Sequence, residues 1–108
     1  MWQKGSAPGN YTWLQATTYC KNLSFPFDKY CNWRLPTREE LQSIVDYTTD
    51  CPSIDTTLFP NTFWFNYWTS THFTANPNNS WVINFDYGCV RIYNKGRVCY
   101  VRAVRTIK

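Results

Sequence analysis

The apolar positions of this chain change their period once, and that switch limits the fold more than any other feature. In the first half they recur at helical spacing: Trp13, Ala16, Cys20 and Leu23, then Leu41, Ile44, Val45 and Thr48. Thr12 followed three positions later by Gln15 reads as a capping box, so a first helix is expected over about 12–23. Thr37 with Glu40 repeats the signal, and Glu39 and Glu40 suit the positive end of a second helix running to about residue 48. From Tyr67 onward the period is two. Tyr67 to Thr71 is a strand candidate, and Trp81, Ile83 and Phe85 alternate with Val82 and Asn84. Cys89 to Tyr93 and Arg97 to Arg105 are expected to form a closing hairpin with Asn94-Lys95-Gly96 at its tip. Met1 to Lys4 reads as a short strand. Residues 50–66, with Pro52 and Pro60, read as a long packed irregular connection. Two helices followed by a meander predict an α+β domain: two helices packed on a small antiparallel sheet with long irregular loops, a single domain over 1–108.

Composition agrees with a packed interior. Trp, Tyr and Phe make up 19% of the chain and charged residues only 17%, the opposite of a disordered segment. No apolar run approaches the roughly 20 residues of a membrane span. Lys4, Gly5, Ser6, Pro8 and Gly9 interrupt what would be a signal peptide. Four scattered glycines and the lack of sustained heptads exclude collagen and coiled coil.

The formal net charge of +4 conceals two opposed halves. Residues 1–86 hold five Lys/Arg against seven acids, whereas residues 87–108 hold Arg91, Lys95, Arg97, Arg102, Arg105 and Lys108 with no acid. Such a basic tail fits a surface facing a polyanion, and it equally fits a solvated edge hairpin whose charges prevent aggregation.

The five cysteines, Cys20, Cys31, Cys51, Cys89 and Cys99, contain no C-x-x-C, and one histidine, His72, does not complete a zinc set. A Cys20–Cys31 bridge would close a short loop. Cys89 and Cys99 lie on one face of the expected hairpin but as diagonal neighbours, so a bridge needs a register shift; bridge and free thiols both remain open. Cys51 is the odd one.

Trp33-Arg34-Leu35-Pro36-Thr37 with Glu40-Leu41 resembles the signature of a widespread bacterial domain family typified by the C-terminal domain of the Legionella collagen-like adhesin. The resemblance continues through Ile54-Asp55, Phe59-Pro60-Asn61-Thr62, Tyr67-Trp68-Thr69-Ser70-Thr71, Trp81-Val82-Ile83-Asn84-Phe85 with Gly88, and Tyr100-Val101-Arg102-Ala103-Val104-Arg105. It implies a C-type lectin-like fold, related also to formylglycine-generating enzymes. It further implies a piece of a longer secreted or surface-displayed protein, sulfated glycosaminoglycans as the polyanion, and a homotrimer built on a collagen-like stalk that this sequence does not contain. Ala103 stands where the family often carries Cys, so disulfide pairing does not transfer.

Catalysis has little support in the residues. His72 has no partner at a telling spacing, Glu39 and Glu40 point to different helix faces, and nothing beside Cys51 marks an activating base. No motif of the formylglycine-generating enzymes surrounds Cys89 and Cys99. Asn76-Pro77-Asn78, Trp81, Asn84 and Asp86 only partly echo a calcium-dependent sugar site, and the loop offers too few carboxylates. The expectation is therefore a non-enzymatic adhesion domain without metal or cofactor. It would bind an acidic polysaccharide or cell-surface glycan through Arg91, Lys95, Arg97, Arg102 and Arg105, with no nucleic acid partner and no membrane insertion. Trp64, Tyr67, Trp68, Tyr87, Tyr93 and Tyr100 are candidate exposed rings. The rival reading is a protein-recognition head using aromatics of the 61–81 region.

Overall fold

In the computed structural model, residues 2, 3, 5–23, 33–49, 52–60, 62, 63 and 65–105 are described. The first helix, α1, spans Trp13–Asn22 behind an N-cap at Thr12 whose capping box with Gln15 is formed in both directions. The short strand β1, Trp33–Arg34, leads through Leu35 and Pro36 into α2, Arg38–Gln42, again with a complete capping box between Thr37 and Glu40. The strands β2 (Asn66–His72), β3 (Asn79–Asn84) and β4 (Cys89–Asn94) form an antiparallel meander. The last strand, β5 (Val104–Arg105), pairs antiparallel with β1. The architecture is α+β, with two helices and two antiparallel sheets among the described residues.

Strands β2 and β3 bury side chains on both faces, and the two-residue period decides which goes where. Trp68 faces its register partner Val82 in a cluster with Ala16, Cys20, Trp33 and Leu35, beneath α1. Tyr67 and Ile83, one step along, join Phe85, Leu41 and Ile54 beneath α2. Pro36 and α2 are tied to β2 by hydrogen bonds: the Ser70 amide donates to the Pro36 carbonyl at 2.8 Å, and the Arg38 amide to Thr71 Oγ1 at 2.9 Å.

Two expected elements differ. The second helix stops at Gln42 instead of residue 48. The β-branched Ile44 and Val45 favour other backbone states, and Asp46 forms a local turn instead, its Oδ1 accepting from the Thr48 amide at 2.9 Å. The closing hairpin does not form either. Among the described residues β4 pairs only with β3, and after Gly96 the chain leaves it. Cys99 exchanges both backbone hydrogen bonds with Tyr11 at 2.8 Å, and Tyr100 bridges to Tyr67 in parallel. Ala7 and Gln3 then donate to Val101 and Ala103. Cys99 and residues 101–104 are all buried, so this segment occupies an interior slot between β2 and the N-terminal residues rather than the solvent-facing edge of β4. Of the expected strand at residues 1–4, Trp2 bridges to Val104, and Met1 and Lys4 lie outside the described residues.

Cys20, Cys89 and Cys99 carry free thiols. Cys31, the far end of one expected bridge, lies outside the described residues, as do Cys51 and Trp64. Cys89 and Cys99 stay apart because the segments that carry them do not pair.

Candidate functional site

Lys95 stands at the tip of the basic tail. The Asn94 side chain accepts from the Gly96 amide at 2.8 Å and closes the tip. The Lys95 amide donates to the Asn78 carbonyl at 2.9 Å, and its carbonyl accepts from the Trp13 amide at 3.1 Å, so the tip is stitched to the start of α1. The ammonium then lies 4.3 Å from the Trp13 ring centroid and 3.0 Å from His72 Nδ1. Arg97, two residues on, is exposed and rests 5.2 Å from the Tyr93 ring. Arg91 is exposed on β4, the edge strand of the meander.

Arg105 lies elsewhere. It pairs with Trp33 across β5 and β1 and stacks 5.6 Å from that ring. Arg102 is a correction: it is 1% exposed and cannot meet a surface ligand. Its guanidinium donates to the Gln3 carbonyl (2.9 Å), the Pro60 carbonyl (3.1 Å) and Thr62 Oγ1 (2.8 Å). Desolvation pulls its pKa down, yet a guanidinium so supplied with acceptors stays charged. The structure thus brings together Lys95 and Arg97 at the tip, with Arg91 on the preceding strand's edge, and sends Arg102 inward.

Beside the tip is a cleft of about 300 Å³ that the sequence does not reveal. Trp13, Thr17 and Lys21 line it from α1, Trp33, Arg34 and Leu35 from β1 and its exit, and Ser70 and His72 from β2. Trp13, Thr17 and Lys21 follow one another at four-residue steps, and that spacing alone places them on one helix face. Arg34 is engaged by Glu40 through two bonds of 2.7 and 2.8 Å, which pull the Glu40 pKa down to about 2.

The expected exposed rings divide. Tyr67 and Trp68 are core, Tyr93 and Tyr100 are half-buried, and Tyr87 is exposed. Phe63 and Phe65, which no local pattern singles out, are exposed and stack on Tyr100 with centroids 4.3 and 6.0 Å away.

Two of the thiols are poor nucleophiles. Burial pushes Cys20 and Cys99 up to about 12, so neither offers a thiolate at neutral pH. Among the described residues no three His, Cys, Asp or Glu side chains converge to hold a metal, and Asn76 Oδ1 is taken by the Asn78 amide. No described helix is long and apolar enough to cross a membrane. In comparison with known proteins, the family model described as the Lcl C-terminal domain matches residues 1–105, and no curated protein matches the chain.

Proposed function

The chain belongs to the Lcl C-terminal domain family, and from that membership we propose an extracellular bacterial adhesion domain that binds sulfated or otherwise acidic glycans. The contacts are Arg91, Lys95 and Arg97, with Arg105 as an outlying cation. One observation carries this reading: the ion pairs seen among the described residues, Arg34–Glu40 and Arg38–Glu39, involve none of Arg91, Lys95 and Arg97, whose charge is left for a ligand. Arginine suits sulfate because its fork makes two parallel bonds. Exposed single contacts are weak, so several copies on one secreted or surface-displayed assembly, such as a homotrimer, would supply avidity.

Heparin chromatography tests it. The domain is expected to stay bound at about 0.15 M salt, to elute as salt rises further, and to elute earlier as Lys95→Ala, Arg97→Ala or Arg91→Ala. Passage through the column at that salt, or elution unchanged in all three variants, overturns the reading.

A second reading, a protein-recognition head, is favoured by the exposed Phe63 and Phe65 stacked on Tyr100. Capture of a host-membrane protein that persists in high salt and is lost with Phe65→Ala would support it over the glycan site.

A further inference from the structure

We propose that the cleft between α1, β1 and β2 is a discrete site for a short acidic saccharide, an inference that rests on the acidic-glycan reading and assigns it a pocket. Its volume, about 300 Å³, lies at the small end of ligand pockets and suits one or two sugar rings, not a folded protein segment. Cations stand at both ends. At the His72 end, next to the lining residues, is the Lys95 ammonium, 4.3 Å from the Trp13 ring centroid and 3.0 Å from His72 Nδ1. Lys21, exposed in the last turn of α1, is at the other. Trp13 and Lys21 are two helical turns apart, or about 12 Å along the axis. That span fits a disaccharide with an anionic group toward each end better than a single charged ring.

The walls match such a ligand. Trp13 spends its Nε1–H on the Thr69 carbonyl at 3.1 Å, so it contributes an apolar indole surface against which a sugar ring can lie. His72, whose Nδ1 lies 3.0 Å from the Lys95 ammonium, adds a polar ring to the wall. No carboxylate lines the cleft among the described residues, and Glu40, which reaches the Arg34 wall, is occupied by that arginine. A fixed ammonium binds an anion without first losing side-chain freedom, which separates Lys95 from an ordinary surface lysine.

The test is an NMR titration of the ¹⁵N-labelled domain with a sulfated, uronate-containing heparin disaccharide, alongside the neutral disaccharide cellobiose. Expected are saturable shifts at the Trp13 indole N–H and the His72 and Lys21 amides with the heparin disaccharide and none with cellobiose. Lys21→Gln should weaken binding about tenfold. Thr17→Trp, which fills the cleft and removes no charge, should abolish it. Shifts confined to Arg91 and Arg97, or disaccharide binding untouched by both variants, overturn the proposal. Retention of the same proteins on long-chain heparin separates the two ideas. Retention without disaccharide in the cleft sinks the cleft and leaves the glycan reading standing, while cleft binding without retention sinks the polyanion surface.

Discussion

Glu40 accepts two hydrogen bonds from Arg34, and its Oε1 also takes the Thr37 amide at 2.8 Å, while its own amide donates to Thr37 Oγ1. The Arg34 hydrogen bonds, helped by those from Thr37, outweigh burial and lower its pKa from 4.5 to about 2. A carboxyl with a depressed folded pKa stabilises above the unfolded value and loses that stability as pH falls toward the folded one. Urea denaturation should therefore show stability falling between pH 4.5 and about 2. Glu40→Gln should remove that part of the acid dependence and, at pH 7, lower stability by about 1 kcal/mol, a figure reduced for the partial exposure of both side chains. A pH profile identical in the variant would refute the role. The Thr37–Glu40 part of this cluster is legible in the sequence because a capping box is a local pattern, while the Arg34–Glu40 pair is seen only in the structure. Arg102 is not. Its acceptors lie at residues 3, 60 and 62, so a sequence reading can count its charge but has no means of seeing it buried.

At the scale of elements, the signals that hold are those written into consecutive residues. The bounds of α1 follow from Thr12 and Gln15, and the strands of the meander from their alternation. Alternation says that a strand exists; it does not name its neighbour. Chain order puts residues 97–105 beside β4, yet the buried side chains of 99 and 101–104 demand an interior position. Gly88, at φ +79, makes the turn before β4 where a Cβ would come within 2.6 Å of Val45 Cγ1. The separation of β4 from the last segment also decides the thiols. Cys20 and Cys99, buried and pushed up to about 12, should resist iodoacetamide in the native domain at pH 8, while the exposed Cys89 reacts. Peptide mass spectrometry reads this directly; rapid labelling of Cys99 would contradict its burial.

At the scale of the whole molecule, segments from the first and last dozen described residues are neighbours. Gln3, Ala7 and Tyr11 pair with Ala103, Val101 and Cys99, and Arg102 leans on the Gln3 carbonyl. Removing the segment before Tyr11 should strip the buried Val101 and Ala103 backbone groups of their partners and take one acceptor from Arg102, and cost the domain its cooperative thermal transition by circular dichroism. A truncated chain that melts as sharply and as high as the full one would show the pairing to be dispensable. The same closure explains how the candidate site arises: Trp13 and Lys95 sit near opposite ends of the chain and meet because the last segment pairs with Tyr11 and draws the tip onto α1. By itself the sequence determined the α+β class, the two capped helix starts, the strands of the meander, the basic tail and the family, since each is carried by periodicity or by residues close together along the chain. Only the tertiary structure decided which strand the last segment joins, which arginines face solvent, and that Trp13, Lys21 and His72 line one cleft with Lys95 packed against Trp13 and His72. Those outcomes depend on burial and on hydrogen bonds between residues far apart in the chain, where local pattern holds no information.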